Sequence, residues 1–271
     1  MQRNRMMLVC ATVLCTALGC NKDKAAEQKL APTASALEAA MPKAPTATAF
    51  AVDSSTSSFT FLMDSPLEKI DGDAPKSLQG ELYIDPADLT KSTALVKADL
   101  NKLTIYQQKR PDGNGGYGER VKSDKQNEHA RGWLQLDRKE KEVTAEQAET
   151  FRWAEIKILK LDNLSATDVT KMTGPERKVT ATVSGDFRLH GRKATKSAKV
   201  ALNFKYTGDK LDAVECKTLE PFVIPLEEFE IHPRDAEGKI VSSIADALSS
   251  NLKGKVSKDA PVTISFVAKA K

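Results

Sequence analysis

The sequence is poor in the residues that chemistry is usually built from. Histidine occurs three times in 271 residues, as His129, His190 and His232, each in a different segment and none at metal-ligand spacing. Cysteine occurs four times. Cys10 and Cys15 fall within an N-terminal apolar run, Cys20 ends it, and Cys216 stands alone. A framework of internal disulfides and a Cys/His zinc site are therefore excluded. No G-x-S-x-G elbow occurs, and the Gly-rich stretch 107–131 lacks the GK[ST] ending of a phosphate loop. Aromatic residues make up only 6%, few for the two girdles of a transmembrane barrel. Neither charge sign dominates, with 41 basic against 37 acidic side chains, and no concentrated basic face argues for nucleic acid. No catalytic residue, metal site or cofactor is assigned, and the chain is not read as an enzyme.

What is present begins with a targeting segment. Arg3 and Arg5 precede an apolar run from Met6 to Leu18, of signal-peptide length and too short to span a bilayer comfortably. It closes as Thr16-Ala17-Leu18-Gly19-Cys20, which resembles the lipobox of bacterial lipoproteins, with Ala17 where Leu is commonest. The resemblance implies cleavage before Cys20 and acylation there (diacylglycerol on sulfur, palmitate-type chains), so residues 1–19 are a signal peptide. With Arg3 and Arg5 gone, the formal charge of +4 falls by two, to nearly neutral. Asn21 in place of Asp implies the outer membrane, with the protein facing the periplasm. Residues 20–48, rich in Ala, Pro, Lys and Thr, read as a disordered tether. The folded domain is expected over 49–271.

That domain is dominated by period-two alternation. Over 179–206, Val179, Ala181, Val183, Phe187 and Leu189 share one parity, and Ala198, Val200, Leu202, Phe204 and Tyr206 share another. Such alternation predicts strands with one dry and one wet face, and the short polar link 191–197 predicts an antiparallel hairpin. The same signal marks Phe59, Phe61 and Met63; Leu82 and Ile84; Ala94, Val96, Ala98 and Leu100; and Val262, Ile264, Phe266 and Ala268. The run 103–107 reads as a continuation of the 93–100 strand across a bulge. Residues 107–131 read as a rim loop. Prolines at 221, 225 and 233 make 217–233 an irregular edge strand. Parity switches between Phe151/Trp153 and Ile156/Ile158, which indicates a bulge or a helix-to-strand change near Ala154. Short helices are expected at 127–136, burying Trp133 and Leu134, at 144–150, and at 240–253. About eight strands with no strand-helix-strand rhythm give an all-β class, a sandwich or an up-and-down barrel.

Three groups of residues carry a family resemblance. They are Phe50, Val52, Asp53, Ser57 and Phe61 in an opening strand, the run Gly185-Asp186-Phe187-Arg188-Leu189-His190-Gly191, and Val262, Ile264 and Phe266 at the end. In this order they resemble the YceI-like domain, over about 50–271. Phe187-Arg188 departs from the usual Leu-Thr, the 107–131 loop is long, and the 240–253 helix looks inserted. The resemblance implies an extended, lipocalin-like, eight-stranded antiparallel β-barrel that binds long apolar molecules such as polyisoprenoids, quinones or fatty-acid derivatives.

An eight-stranded barrel has room for packed side chains or one small ligand. If the apolar faces point inward, Phe59, Phe61, Met63, Trp153, Val183, Phe187, Leu189, Leu202, Phe204 and Tyr206 line it, and Gly185 leaves space beside them. The expected function is a membrane-anchored envelope lipoprotein that carries an apolar lipid, an isoprenoid or quinone. The alternative is a structural or interaction lipoprotein with a filled barrel and no ligand.

Overall fold

Eight antiparallel strands close a ring. The computed structural model describes residues 29–64, 68–110, 115–136, 143–232 and 257–271; the lipobox with Cys20 and the helix expected at 240–253 lie outside them. In chain order the ring strands are β1 (Thr48–Asp64), β3 (Leu78–Ile84), β4 (Thr93–Asp99), β7 (Trp153–Asp162), β8 (Glu176–Leu189), β9 (Arg192–Thr207), β10 (Lys210–Thr218) and β12 (Asp259–Ala270). Neighbours run β12-β10-β9-β8-β7-β4-β3-β1, and β1 pairs back onto β12.

The ring is extended at one end because β1 changes partner. Its start pairs with β3, from Thr48↔Ile84 to Ala51↔Glu81. From Ser58 onward it pairs instead with β2 (Glu68–Pro75), which carries β5 (Thr104–Lys109) and β6 (Val121–Lys122) as a flap. On the opposite flank β11 (Phe222–Pro225) takes over from β10 along β12. We call the extended end the mouth and the other end the floor.

The β8–β9 hairpin shows the dry and wet faces read from the sequence. Its register runs unbroken from Glu176↔Lys205 to Leu189↔Arg192. The turn is only His190-Gly191, at φ 50° and 69°, two successive positive values as a type I′ hairpin requires. The polar run 192–197, expected as the link, is therefore strand. Val179, Ala181, Phe187, Leu189, Ala198, Val200, Leu202, Phe204 and Tyr206 are buried. Phe204 is 0% exposed, whereas the neighbouring Lys205 reaches outward to Glu215 at 3.4 Å. Phe204→Asp is expected to abolish folding, since it buries an unpaired charge. Lys205→Asp should cost about 1 kcal/mol or less. Equal thermal melts for the two variants would refute the facing assigned to this strand.

Gly185 serves the wall, not a ligand. A Cβ there would stand 1.9 Å from the Lys157 carbonyl oxygen of β7, where the β7–β8 register slips between Ile158 and Lys160. The space expected beside Gly185 is filled by the adjacent backbone.

Other elements differ in detail. The 103–107 run does not continue β4. A 3-10 turn, Leu100–Lys102, capped by Asp99, separates them, and β5 pairs with β2. Part of the expected rim loop forms β6 and the first turn of α1 (Asp124–Trp133), capped by Ser123. Helix α2 (Ala145–Arg152) starts with a capping box between Thr144 and Gln147 and passes directly into β7 at Trp153. That is the helix-to-strand change among the two sequence alternatives.

Residues 29–47, expected within a free tether, lie instead as a strap along the outer wall. Near the mouth, Ala31 N–H donates to Glu228 O, Ala34 N–H to Gly191 O, and Lys193 N–H to Pro32 O. Further down, Arg188 Nε donates to Ala34 O and Leu37 N–H to Glu155 Oε2 at 2.8 Å. Lys43 then reaches Leu159 O, Thr93 reaches Met41 O, and Thr46 reaches Asp85 near the floor. Ala31, Ala40 and Ala44 are buried. Such a segment has no secondary structure of its own, so its buried backbone groups must be paired elsewhere, here on the barrel.

Candidate functional site

The inward faces line two apolar cavities in line along the barrel. The upper one, about 140 Å³, lies under the flap and α1 at the mouth. The lower one, about 90 Å³, lies mid-barrel. Val96, Ile156, Phe222 and Ile264 line both and so form the partition between them. Below, the floor is closed by Phe50, Phe204, Val169 and Val179, each nearly inaccessible to solvent.

The upper cavity is built to exclude water. Among the described lining residues only Gln126, Glu155 and the indole of Trp133 bring polar side-chain atoms, and none is a Lys, Arg or His. A buried water needs two to four polar partners, so a roomy apolar cavity stays dry. Glu155 is already committed: its carboxylate meets Lys97 at 2.7 Å, Arg188 at 3.3 Å and the Leu37 N–H at 2.8 Å, all outside the barrel wall. Trp133 keeps its indole N–H buried with no acceptor among the described residues.

The sequence-predicted residues divide into groups. Phe59, Phe61, Met63, Phe187 and Leu189 line the upper cavity. Val183 and Leu202 line the lower one. Phe204 belongs to the floor, and Tyr206 is buried at the same end, with the Arg177 guanidinium 3.6 Å from its ring centroid. Burial pushes the Tyr206 hydroxyl pKa up. Trp153, expected inside, stands on the outer face. It pairs with Asp99, its Nε1 donates to Glu149 Oε1 at 2.9 Å, and Arg152 stacks on it at 4.7 Å. The cause is local: α2 ends at Arg152, and the inward parity of β7 starts with Ala154.

Several wall residues escaped the sequence reading. Phe222 lies in the irregular edge strand expected at 217–233, of which Phe222–Pro225 form β11, but its inward place was not read. It joins Phe187 edge-on at 6.4 Å, and Phe187 also meets Phe229 at 5.4 Å. Trp133 was legible as a buried helix residue but carried no sign of which cavity it faces. Cys216 lines the lower cavity, and burial pushes its thiol up to about 12, so it is protonated at neutral pH and inert as a nucleophile. Among the described residues no group of His, Cys, Asp or Glu is placed to hold a metal ion.

The rim is fastened by a charged clamp. Arg152 of α2 donates from Nε to Asp99 Oδ1 at 2.9 Å and from a terminal nitrogen to Oδ2 at 2.7 Å. These bonds hold the Asp99 carboxyl below its usual range. A carboxylate with a lowered folded pKa contributes stability that is full above its unfolded pKa, about 4, and is lost as pH falls through the folded value. Arg152→Gln should lower stability by about 1 kcal/mol at pH 7. The gap from wild type should close in melts at the acid end, and a gap independent of pH would contradict the clamp.

A family profile for the YceI-like domain matches residues 50–268. Among curated proteins none matches the chain in sequence. Two solved structures resemble it in outline. One is a polyisoprenoid-binding domain from Saccharophagus degradans implicated in plant cell wall breakdown, at 16% identity and TM-score 0.47, covering 83% of this chain and 99% of that one. The other is BcnA of Burkholderia cenocepacia, at 15% identity and TM-score 0.45, covering 81% of this chain and 99% of that one. With the profile spanning most of the chain and a ring of eight strands closed around an apolar interior, the protein belongs to the YceI-like domain family.

Proposed function

We propose that the barrel binds a long apolar molecule, a polyisoprenoid, quinone or fatty-acid-like lipid, and carries it without chemical conversion. We further propose that acylated Cys20 holds the protein to the outer membrane of a bacterial envelope, facing the periplasm. The observation that carries the binding reading is the apolar upper cavity, whose described wall offers carbon and almost nothing else. Each 100 Å² of ligand surface removed from water there contributes about 2.5 kcal/mol.

The wall also narrows the ligand's polar end. With no cationic side chain among the described lining residues, a phosphate or free carboxylate held there would be buried unpaired by them, at heavy cost. A neutral carbonyl or hydroxyl suits the Trp133 indole N–H and the Gln126 amide. A quinone or an uncharged prenyl compound is therefore favoured over a prenyl phosphate or a fatty acid.

A structural barrel without ligand is the second reading, favoured by the fully buried side chains that close the floor. Organic extraction of the protein from its native host, followed by mass spectrometry, separates the two. Stoichiometric lipid is expected. No recovered lipid, together with no uptake of added quinone, would sink the carrier reading.

A further inference from the structure

The strap decides which end of the barrel is tied to the chain ahead of it. Without it, the chain would meet the barrel at Thr48, beside the floor. With it, the first pinned residue is Ala31, whose N–H bonds Glu228 O and whose carbonyl accepts from Arg192. Both partners sit at the mouth, beside the His190-Gly191 hairpin tip. The strap's later contacts move steadily away, through Glu155 and Thr93 to Asp85.

Two lengths then matter. Eleven peptide steps separate Cys20 from Ala31. At no more than about 3.6 Å each they span at most about 40 Å, whatever path they take. The barrel is of similar length: the 16 residues of β9, at about 3.3 Å each and tilted by about 40°, cover roughly 40 Å along the axis. A chain anchored at Cys20 can therefore bring the mouth rim to the bilayer with the tether at any extension, whereas the floor can meet the bilayer only with the tether close to its limit. The rim also carries exposed large apolar side chains, Leu30, Val121 and Val223.

We propose that the mouth rim is a membrane-docking surface, set against the same bilayer that holds Cys20. Lipid then passes between bilayer and upper cavity without crossing bulk water. This rests on the anchoring and lipid-binding reading above and adds to it a direction.

The test uses full-length acylated protein in phosphatidylcholine vesicles that contain a nitroxide-headgroup lipid and no added ligand. A fluorophore is attached at Val223→Cys on the rim or at Asp209→Cys at the floor turn. Both variants are made in a Cys216→Ser background, because Cys216 is only partly buried and label must enter at one site only. The Val223 fluorophore should be quenched several-fold more than the Asp209 one. Insertion of about thirty Gly/Ser residues between Gln28 and Lys29 should shrink the difference, because a long flexible linker no longer holds the mouth near the bilayer and leaves only the apolar side chains of the rim to favour it. Mass spectrometry of the N-terminal peptide is the control. Absence of acyl mass on Cys20 overturns the anchor and the docking with it. Equal or reversed quenching in acylated protein overturns docking alone. Because no ligand is present, lipid carriage does not enter the result.

Discussion

Glu155→Ala should destabilise the protein by about 3–5 kcal/mol, the usual cost of removing one partner from a buried ion pair. Glu155 is 1% exposed and Arg188 is 2% exposed, although both project from the outer face of the barrel. The strap covers them. Glu155 joins three groups at once, the Lys97 ammonium, the Arg188 guanidinium and the Leu37 N–H. The variant would leave Arg188 buried without its countercharge and take from the strap one of its few mid-length fasteners. For a domain of this size the loss corresponds to a fall in melting temperature of roughly 6–20 °C. Hydrogen exchange at the Leu37 amide should rise more than exchange within β8. The double variant Glu155→Leu with Arg188→Leu should recover much of the stability, since apolar replacement of a buried pair is often near neutral. If Glu155→Ala melts within 2 °C of wild type, a marginal shift on the same scale, the buried pair does not fasten the strap.

Ala154→Phe should abolish lipid uptake while leaving the fold in place. Ala154 and its cross-strand neighbour Ala98 are small residues on the wall of the upper cavity, and the void exists partly because they are small. A phenyl ring projected from Ala154 would occupy the path from the mouth. In a filled core such a change costs about 1–3 kcal/mol through overpacking; here the ring enters empty space, so the cost should be at the low end. Affinity for a short-chain quinone should fall at least tenfold by calorimetric titration, with the thermal melt shifted by only a few degrees. Trp153→Ala, one residue away but on the outside, should leave affinity unchanged. Equal affinity in Ala154→Phe and wild type would place the ligand elsewhere.

The contrast between Ala154 and Trp153 shows where the sequence stops being informative. Inward facing was legible wherever a strand kept one parity, as in β8, β9 and β12. It failed at Trp153 because the strand there inherits its phase from the end of α2, which no alternation records. Strand β10 was not read because its register slips between Leu211 and Ala213, so Leu211 and Val214 face the same interior on opposite parities. Strand β2 was hidden because its inward positions include Gly72 and Ala74, too small to look like a core. The 192–197 run looked like a link because Lys196 sits on the inward parity. It escapes where β9 has lost β10 as a neighbour, and meets Glu228 at 2.5 Å. The strap left no mark in hydropathy because its fastening is largely through main-chain groups. The partition between the two cavities depends on Phe222, whose strand is four residues long and hemmed by prolines.

The ring is closed by its first and last strands, with Phe50 opposite Ala270 and Phe61 opposite Val262. No barrel exists until those two ends of the domain, more than two hundred residues apart in sequence, have found each other. Pairing at such separation gives slow folding, since the loop entropy must be overcome before the contacts form. A chain lacking β12 would be left with β1 and β10 as two long unpaired edges, open to pairing with other chains. Termination before β12 should therefore yield aggregate, not a weakened carrier, and the dozen residues of β12 act as the completion check for the barrel.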